Sequence, residues 1–212
     1  MVAVLVTIDI KRVLAISEVE GLFETQQSVQ LEWRDPRLTF HNLQAEVDRN
    51  TLSGVERSLL WVPSVTFVNT ARQERSLRDN SSLVTVSREG GLERSGREEV
   101  DNIYIYAGAA NPLTISRVYS TKWLCSYNML YYPFDTQTCS LLLAPSANSA
   151  TQVVLQPGAH SYSGAKELTQ YFIRWEAGGH GFLRGTSMQM DKDNTTLVVK
   201  VTEVTMVLMF RW

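Results

Sequence analysis

Two cysteines, Cys125 and Cys139, are the only ones in this 212-residue chain, and thirteen residues separate them. Near the middle of the stretch they bracket stands Tyr132-Pro133-Phe134-Asp135. Pro133 has a fixed φ and steers the residue before it away from the helical region, which makes the centre of this segment a rigid turn. A lone cysteine pair around such a turn reads as one disulfide closing an outward-facing loop. Closing a loop of about fifteen residues contributes roughly 3 kcal/mol in the chain-entropy model. The pairing implies an oxidising, extracellular setting, because cytosolic thiols stay reduced. Two glycosylation sequons, at Asn80 and Asn194, agree with secretion.

The rest of the chain is patterned for strands. Val2, Val4, Val6, Ile8 and Ile10 alternate with residues that include Thr7 and Asp9, the period of a half-buried strand. Leu22 to Trp33 reads as its partner, closed by an Asp35-Pro36 turn. Further strand segments are expected at 58–68, 83–87, 102–106, 113–124, 138–143, 151–155, 169–176 and 196–211, each bounded by Gly, Pro, Asn or Ser. The only hint of helix is a turn near 40–49. Short strands with turn punctuation predict an all-β sandwich of about ten strands. A chain of 212 residues can bury a full core as one domain spanning 1–212. Segments 88–99 and 177–195 are charged or glycine-bearing and read as long exposed loops.

Several functions are set aside by what the sequence lacks. A net charge of −2 gives no reason to expect a nucleic-acid partner. The three histidines, at 41, 160 and 180, lack metal-ligand spacing, so no metal or other cofactor is expected. No nucleophile elbow, H-E-x-x-H helix, phosphate loop or glycine-rich dinucleotide turn occurs, and an enzyme is not expected. The start, through Ser17, reads as a strand rather than a signal peptide, because Asp9 and Lys11-Arg12 interrupt it. No run of eighteen apolar residues is present, so no segment of the 212 residues is expected to span a bilayer.

The cysteine stretch resembles the signature loop of the Cys-loop receptors, the pentameric ligand-gated ion channels. Other segments match the same family in order. Leu31-Glu32-Trp33-Arg34-Asp35-Pro36-Arg37-Leu38 is similar to the family's W-x-D-x-R-L stretch. Trp61-Val62-Pro63, then Phe67-Val68-Asn69, resembles its W-x-P-D…N segment, with Ser64 in place of the aspartate. Ser17 to Glu20 looks like its loop between the first two strands, and Glu167-Leu168 with Gln170-Tyr171 like its approach to the ninth. Phe210-Arg211-Trp212 stands where the family has a basic residue before the first membrane helix.

That resemblance implies an immunoglobulin-like β-sandwich, the extracellular ligand-binding domain of a receptor subunit, assembling as a homo- or hetero-pentameric ring. It implies a cell-surface location and a membrane domain outside this chain. Glu18, Glu20, Tyr132, Pro133, Phe134, Asp135 and Arg211 would form the end that couples binding to the pore. A small molecule would bind between subunits. Carried across residue by residue, one face of that site falls on Phe67, Val68, Ser146, His180 and Phe182. The facing subunit would contribute Ser28, Gln30, Leu113, Ile115 and Arg117.

The family's cation-binding aromatic box is largely missing from these positions, because serine offers no π face. An uncharged or anionic ligand, or a subunit supplying only one face, fits this pattern. The alternative within the fold is a secreted, channel-free binding protein. Tyr132-Pro133-Phe134 argues against it, because an apolar loop tip requires something to cover it.

Overall fold

The computed structural model describes residues 1–77, 83–90, 92–95, 103–132, 136–146, 152–165, 171–173, 187–191 and 196–205. In chain order the strands are β1 (Val2–Ser17), β2 (Leu22–Trp33), β3 (Thr39–His41), β4 (Val65–Phe67), β5 (Thr70–Leu77), β6 (Val84–Val86) and β7 (Leu92–Ser95). They continue as β8 (Ile103–Ala107), β9 (Leu113–Leu124), β10 (Thr136–Pro145), β11 (Val153–Tyr162), β12 (Tyr171–Ile173), β13 (Ser187–Met190) and β14 (Leu197–Thr205). Among the described residues one short α-helix, α1 (Gly54–Ser58), interrupts them.

A six-stranded sheet runs β11-β1-β2-β9-β5, with β6 also on β9. A five-stranded sheet runs β12-β14-β10-β4, with β13 on β14, and β3-β8-β7 form a small third sheet. The fold is the all-β sandwich that the strand pattern predicts. Val4, Val6, Ile8 and Ile10 of β1 are all buried, as their alternation requires. Their partners across the ladder, Trp33, Leu31, Val29 and Gln27, continue the same face into β2. From β2 that face passes to Leu113, Ile115, Arg117 and Tyr119 of β9. Leu141 and Leu143 of β10 with Val65 and Phe67 of β4 supply buried apolar groups from the second sheet.

Midway along this interior the packing turns polar, and every member of the polar chain is paired. Trp123 Nε1 donates to Thr25 Oγ1 at 2.8 Å, and that hydroxyl donates to Gln27 Oε1 at 2.7 Å. Gln27 Nε2 then donates to Thr121 Oγ1 at 3.0 Å. Full pairing is what makes such buried groups tolerable.

The structure amends several expectations. The first strand runs through Ser17 as its start reads, but the alternation lapses after Ile10, with register shifts between Ile10 and Arg12 and between Val13 and Ala15. Such bulges let a strand carry Lys11-Arg12 without losing its partner. Segment 88–99, read as a loop, contains β7, which pairs with β8. Segment 177–195 likewise contains β13, which pairs with β14. Of 58–68, only Val65–Phe67 pairs as strand, and the segment before it holds α1. A capping box starts that helix: Ser53 Oγ accepts from Glu56 N–H, and the Glu56 carboxylate accepts from Ser53 N–H. Near 40–49 lie β3 and a single 3₁₀ turn, Val47–Arg49. No helix among the described residues is long and apolar enough to cross a membrane.

Candidate functional site

Cys125 and Cys139 form a disulfide, with Cα atoms 5.3 Å apart. It joins the end of β9 in the first sheet to β10 in the second. Gln137, almost wholly buried, holds the loop from within. Its Oε1 accepts from Asn128 N–H at 2.9 Å, and its Nε2 donates to Asn128 O at 2.8 Å. A 3₁₀ turn, Met129–Tyr131, follows. Met129, Leu130, Tyr131 and Tyr132 are all exposed there, Leu130 at 74% and Tyr131 at 70%. That is a concentrated apolar tip, of the kind that marks an interaction surface.

The turn between β1 and β2 lies against the base of this loop. Cys125 N–H donates to Gly21 O at 2.8 Å, and Tyr127 Oη donates to Leu22 O at 3.1 Å. Gly21 adopts φ +65°, and a Cβ there would meet the Cys125 carbonyl at 3.1 Å. Both facts favour glycine at the turn. Val19 at its apex is fully exposed, beside exposed Glu20. Glu18 is half-buried, and its Oε1 has no partner among the described residues. The structure therefore brings Glu18 and Glu20 to the end that carries the exposed loop residue Tyr132. Pro133, Phe134, Asp135 and Arg211 lie outside the described residues, as do His180, Phe182 and both sequon residues, Asn80 and Asn194.

The candidate ligand positions divide by face. Phe67 is buried, packed edge-on against Tyr119 and Trp123 with ring centroids 5.1 Å away in each case. Val68, the next residue, is 53% exposed. Ser146 N–H donates to Ser64 O at 3.1 Å, and Ser64 Oγ donates to Ser146 Oγ at 2.8 Å. On the other side, Leu113 and Ile115 are fully buried and point into the core. Arg117 shares their register and is half-buried. Ser28 and Gln30 alternate to the opposite, outward face of β2, where Ser28 Oγ lies 3.1 Å from Ser116 Oγ.

Sequence reasoning missed Ser116 and the pairing role of Ser64. For Ser116 the signal was strand parity: Thr114 and Ser116, not Leu113 and Ile115, alternate to the outer face of β9.

Asp35 and Arg37 form a local ion pair. Asp35 Oδ1 accepts from Arg37 N–H at 3.0 Å and from its Nε at 2.9 Å, and Oδ2 accepts from Nη2 at 2.7 Å. The Arg37 hydrogen bonds hold the Asp35 carboxyl below the usual carboxylate range, against the opposing effect of burial. Among the described residues no group of three or more His, Cys, Asp or Glu could hold a metal.

The described residues thus form a sandwich whose two sheets are strapped by a disulfide loop, with exposed apolar residues on that loop and serine hydroxyls on the outer face of β2 and β9. The family model described as "Neurotransmitter-gated ion-channel ligand binding domain" matches residues 1–211, and the chain belongs to that family. It is 24% identical to "Ligand-gated ion channel 50" of Caenorhabditis elegans over 73% of this chain and 27% of that protein. It is 24% identical to a Drosophila melanogaster "Glutamate-gated chloride channel" over 64% of this chain and 25% of the relative. It is 28% identical to a "Gamma-aminobutyric acid receptor subunit beta-like" protein of the same organism, over 66% of this chain and 26% of the relative. The chain thus spans about a quarter of the length of the relatives it matches.

Proposed function

We propose that this domain is the extracellular ligand-binding layer of a pentameric ligand-gated channel. In this reading a small molecule binds between adjacent subunits, and the Cys125–Cys139 loop passes the resulting movement to a pore. The observation that carries the reading is the loop end itself. Four exposed residues, Met129 to Tyr132, stand on a loop whose disulfide joins both sheets and whose base bonds the β1–β2 turn at Gly21 and Leu22. A membrane domain seated there would remove that surface from water. A secreted, channel-free protein would leave it uncovered. Binding drives such a device only by favouring one conformation over another.

The ligand chemistry follows from the polar side. Among the described candidate positions, the one aromatic, Phe67, is occupied by Tyr119 and Trp123 and offers no open face to a cation. What is presented instead is hydroxyl and amide: Ser28, Ser116, Gln30 and the Ser64–Ser146 pair. A ligand held by hydrogen bonds fits better than a quaternary amine held by cation–π attraction. Glutamate and γ-aminobutyrate, named in two of the relatives, are therefore the first probes.

Electron microscopy of the purified domain tests the assembly, with a five-fold ring expected. A thermal-shift series with glutamate, γ-aminobutyrate, acetylcholine and serotonin tests the chemistry, since a ligand that prefers the folded state raises the midpoint. A shift confined to acetylcholine or serotonin would refute the hydrogen-bonding site.

A further inference from the structure

Asn69 occupies the point at which the chain changes sheets. The strand before it, β4, pairs with β10 in the second sheet, and the strand after it, β5, pairs with β9 in the first. At this crossing Asn69 bonds to both. Its backbone carbonyl accepts from Leu124 N–H at 2.8 Å, and its Nδ2 donates to Leu124 O at 3.2 Å. The same Nδ2 donates to Ser140 O at 2.6 Å, while Oδ1 accepts from Leu142 N–H at 2.9 Å. Val68 N–H adds a bond to Leu142 O at 2.9 Å. Leu124 is the residue before Cys125, and Ser140 the residue after Cys139.

Two straps therefore lie side by side between β9 and β10, one covalent and one made by a single amide side chain. The second carries Val68 with it, so sheet movement at this end must either break Asn69's bonds or move that exposed residue. We propose that Asn69 is a positioning residue that locks the segment bearing Val68 to the disulfide loop, so that the two move as one body. The proposal deepens the coupling reading above and rests on it for its purpose. Its geometry concerns this chain alone.

If Asn69 positions Leu124 and Ser140, it also sets how often the two reduced thiols meet. The thiol–disulfide equilibrium of Cys125 and Cys139 with glutathione measures this directly. Two glutathione thiolates reduce the protein disulfide, giving two protein thiols and one glutathione disulfide, and the constant reports the proximity of the thiols in the reduced protein. Asn69→Asp keeps an acceptor for Leu142 N–H but turns a carboxylate oxygen toward two carbonyls. Asn69→Ser removes the long side chain without adding charge. The control is Val84→Ala, a fully buried change in β6.

Both Asn69 variants should make the disulfide about tenfold easier to reduce, at retained circular dichroism. Val84→Ala should lower the melting midpoint and leave the glutathione constant within about twofold. A constant unchanged in both Asn69 variants, or shifted equally by Val84→Ala, would overturn the proposal. Failure of both Asn69 variants to fold with the disulfide formed would overturn it too, because Asn69 would then hold the sandwich rather than the loop. Neither result depends on a ligand, so failure here is distinguishable from failure of the receptor reading.

Discussion

Phe67 meets Trp123 edge-on, with ring centroids 5.1 Å apart and planes inclined at 65°. Tyr119 closes on the same ring at 90°. An aromatic that a resemblance to receptors would place near the ligand is here a core residue joining β4 to β9. Removing it leaves a cavity as well as losing transfer energy. Phe67→Ala is expected to cost about 3–5 kcal/mol in urea denaturation of the oxidised domain. A loss under about 1 kcal/mol would show that the ring is not held in the core.

The buried chain Trp123–Thr25–Gln27–Thr121 gives a sharper contrast, because shape can be kept while a hydroxyl is removed. Thr25→Val leaves Trp123 Nε1 and Gln27 Oε1 without that partner, which should cost about 1–3 kcal/mol. Thr25→Ser keeps the hydroxyl and should cost less. Equal stabilities for the two variants in parallel denaturant titrations would count against the chain.

Acid sensitivity should trace in part to Asp35. Its carboxyl is held below the usual range when folded, chiefly by Arg37. Below the ordinary carboxylate value, about 3.9, the unfolded chain binds the proton more readily than the folded one, so stability falls as pH falls. The contribution is fully present above that value and disappears as pH drops through the folded pKa. Asp35→Asn should flatten this acid limb in melting curves between about pH 5 and pH 2, and an unaltered slope would rule Asp35 out as its source.

Gly21 is a test of the joint between the β1–β2 turn and the disulfide loop. Gly21→Ala places a Cβ at positive φ and 3.1 Å from the Cys125 carbonyl. A cost above about 1 kcal/mol is expected. Exchange of the Cys125 amide, which donates to Gly21 O, should quicken with it. Unchanged exchange would mean that the turn does not brace the loop.

Much of the fold was legible because burial imposes parity. From Val4 to Ile10 in β1, and along β2, every second residue faces the core, so alternation located the first half of β1 and its buried face. The disulfide was legible because one pair has one pairing. What escaped was structure fixed by partners rather than burial. Strand β7, sequence Leu-Glu-Arg-Ser, carries charge and gains its place by pairing with β8. Helix α1 rests on a capping box whose signal, Ser53 followed by Glu56, is short and local and sits just ahead of a segment that reads as extended.

The candidate site was legible only in outline. Parity along β9 was visible, but which set faces inward depends on the partner strand. That is why Leu113 and Ile115 stand among the expected ligand positions and Ser116 does not. Asn69 is visible in the sequence only as part of a motif, because its four bonds reach residues more than fifty positions away.

The claim that this domain gates a pore through its loop tip is tested most directly by voltage clamp. The full-length subunit, expressed in oocytes, would be challenged with glutamate and γ-aminobutyrate, with surface protein measured alongside. Leu130→Ser with Tyr131→Ser removes exposed apolar side chains that bury little within the domain. The expected result is ligand-evoked current in the unaltered subunit. The double variant should pass at least about tenfold less current at equal surface expression. Equal currents from both would contradict the account.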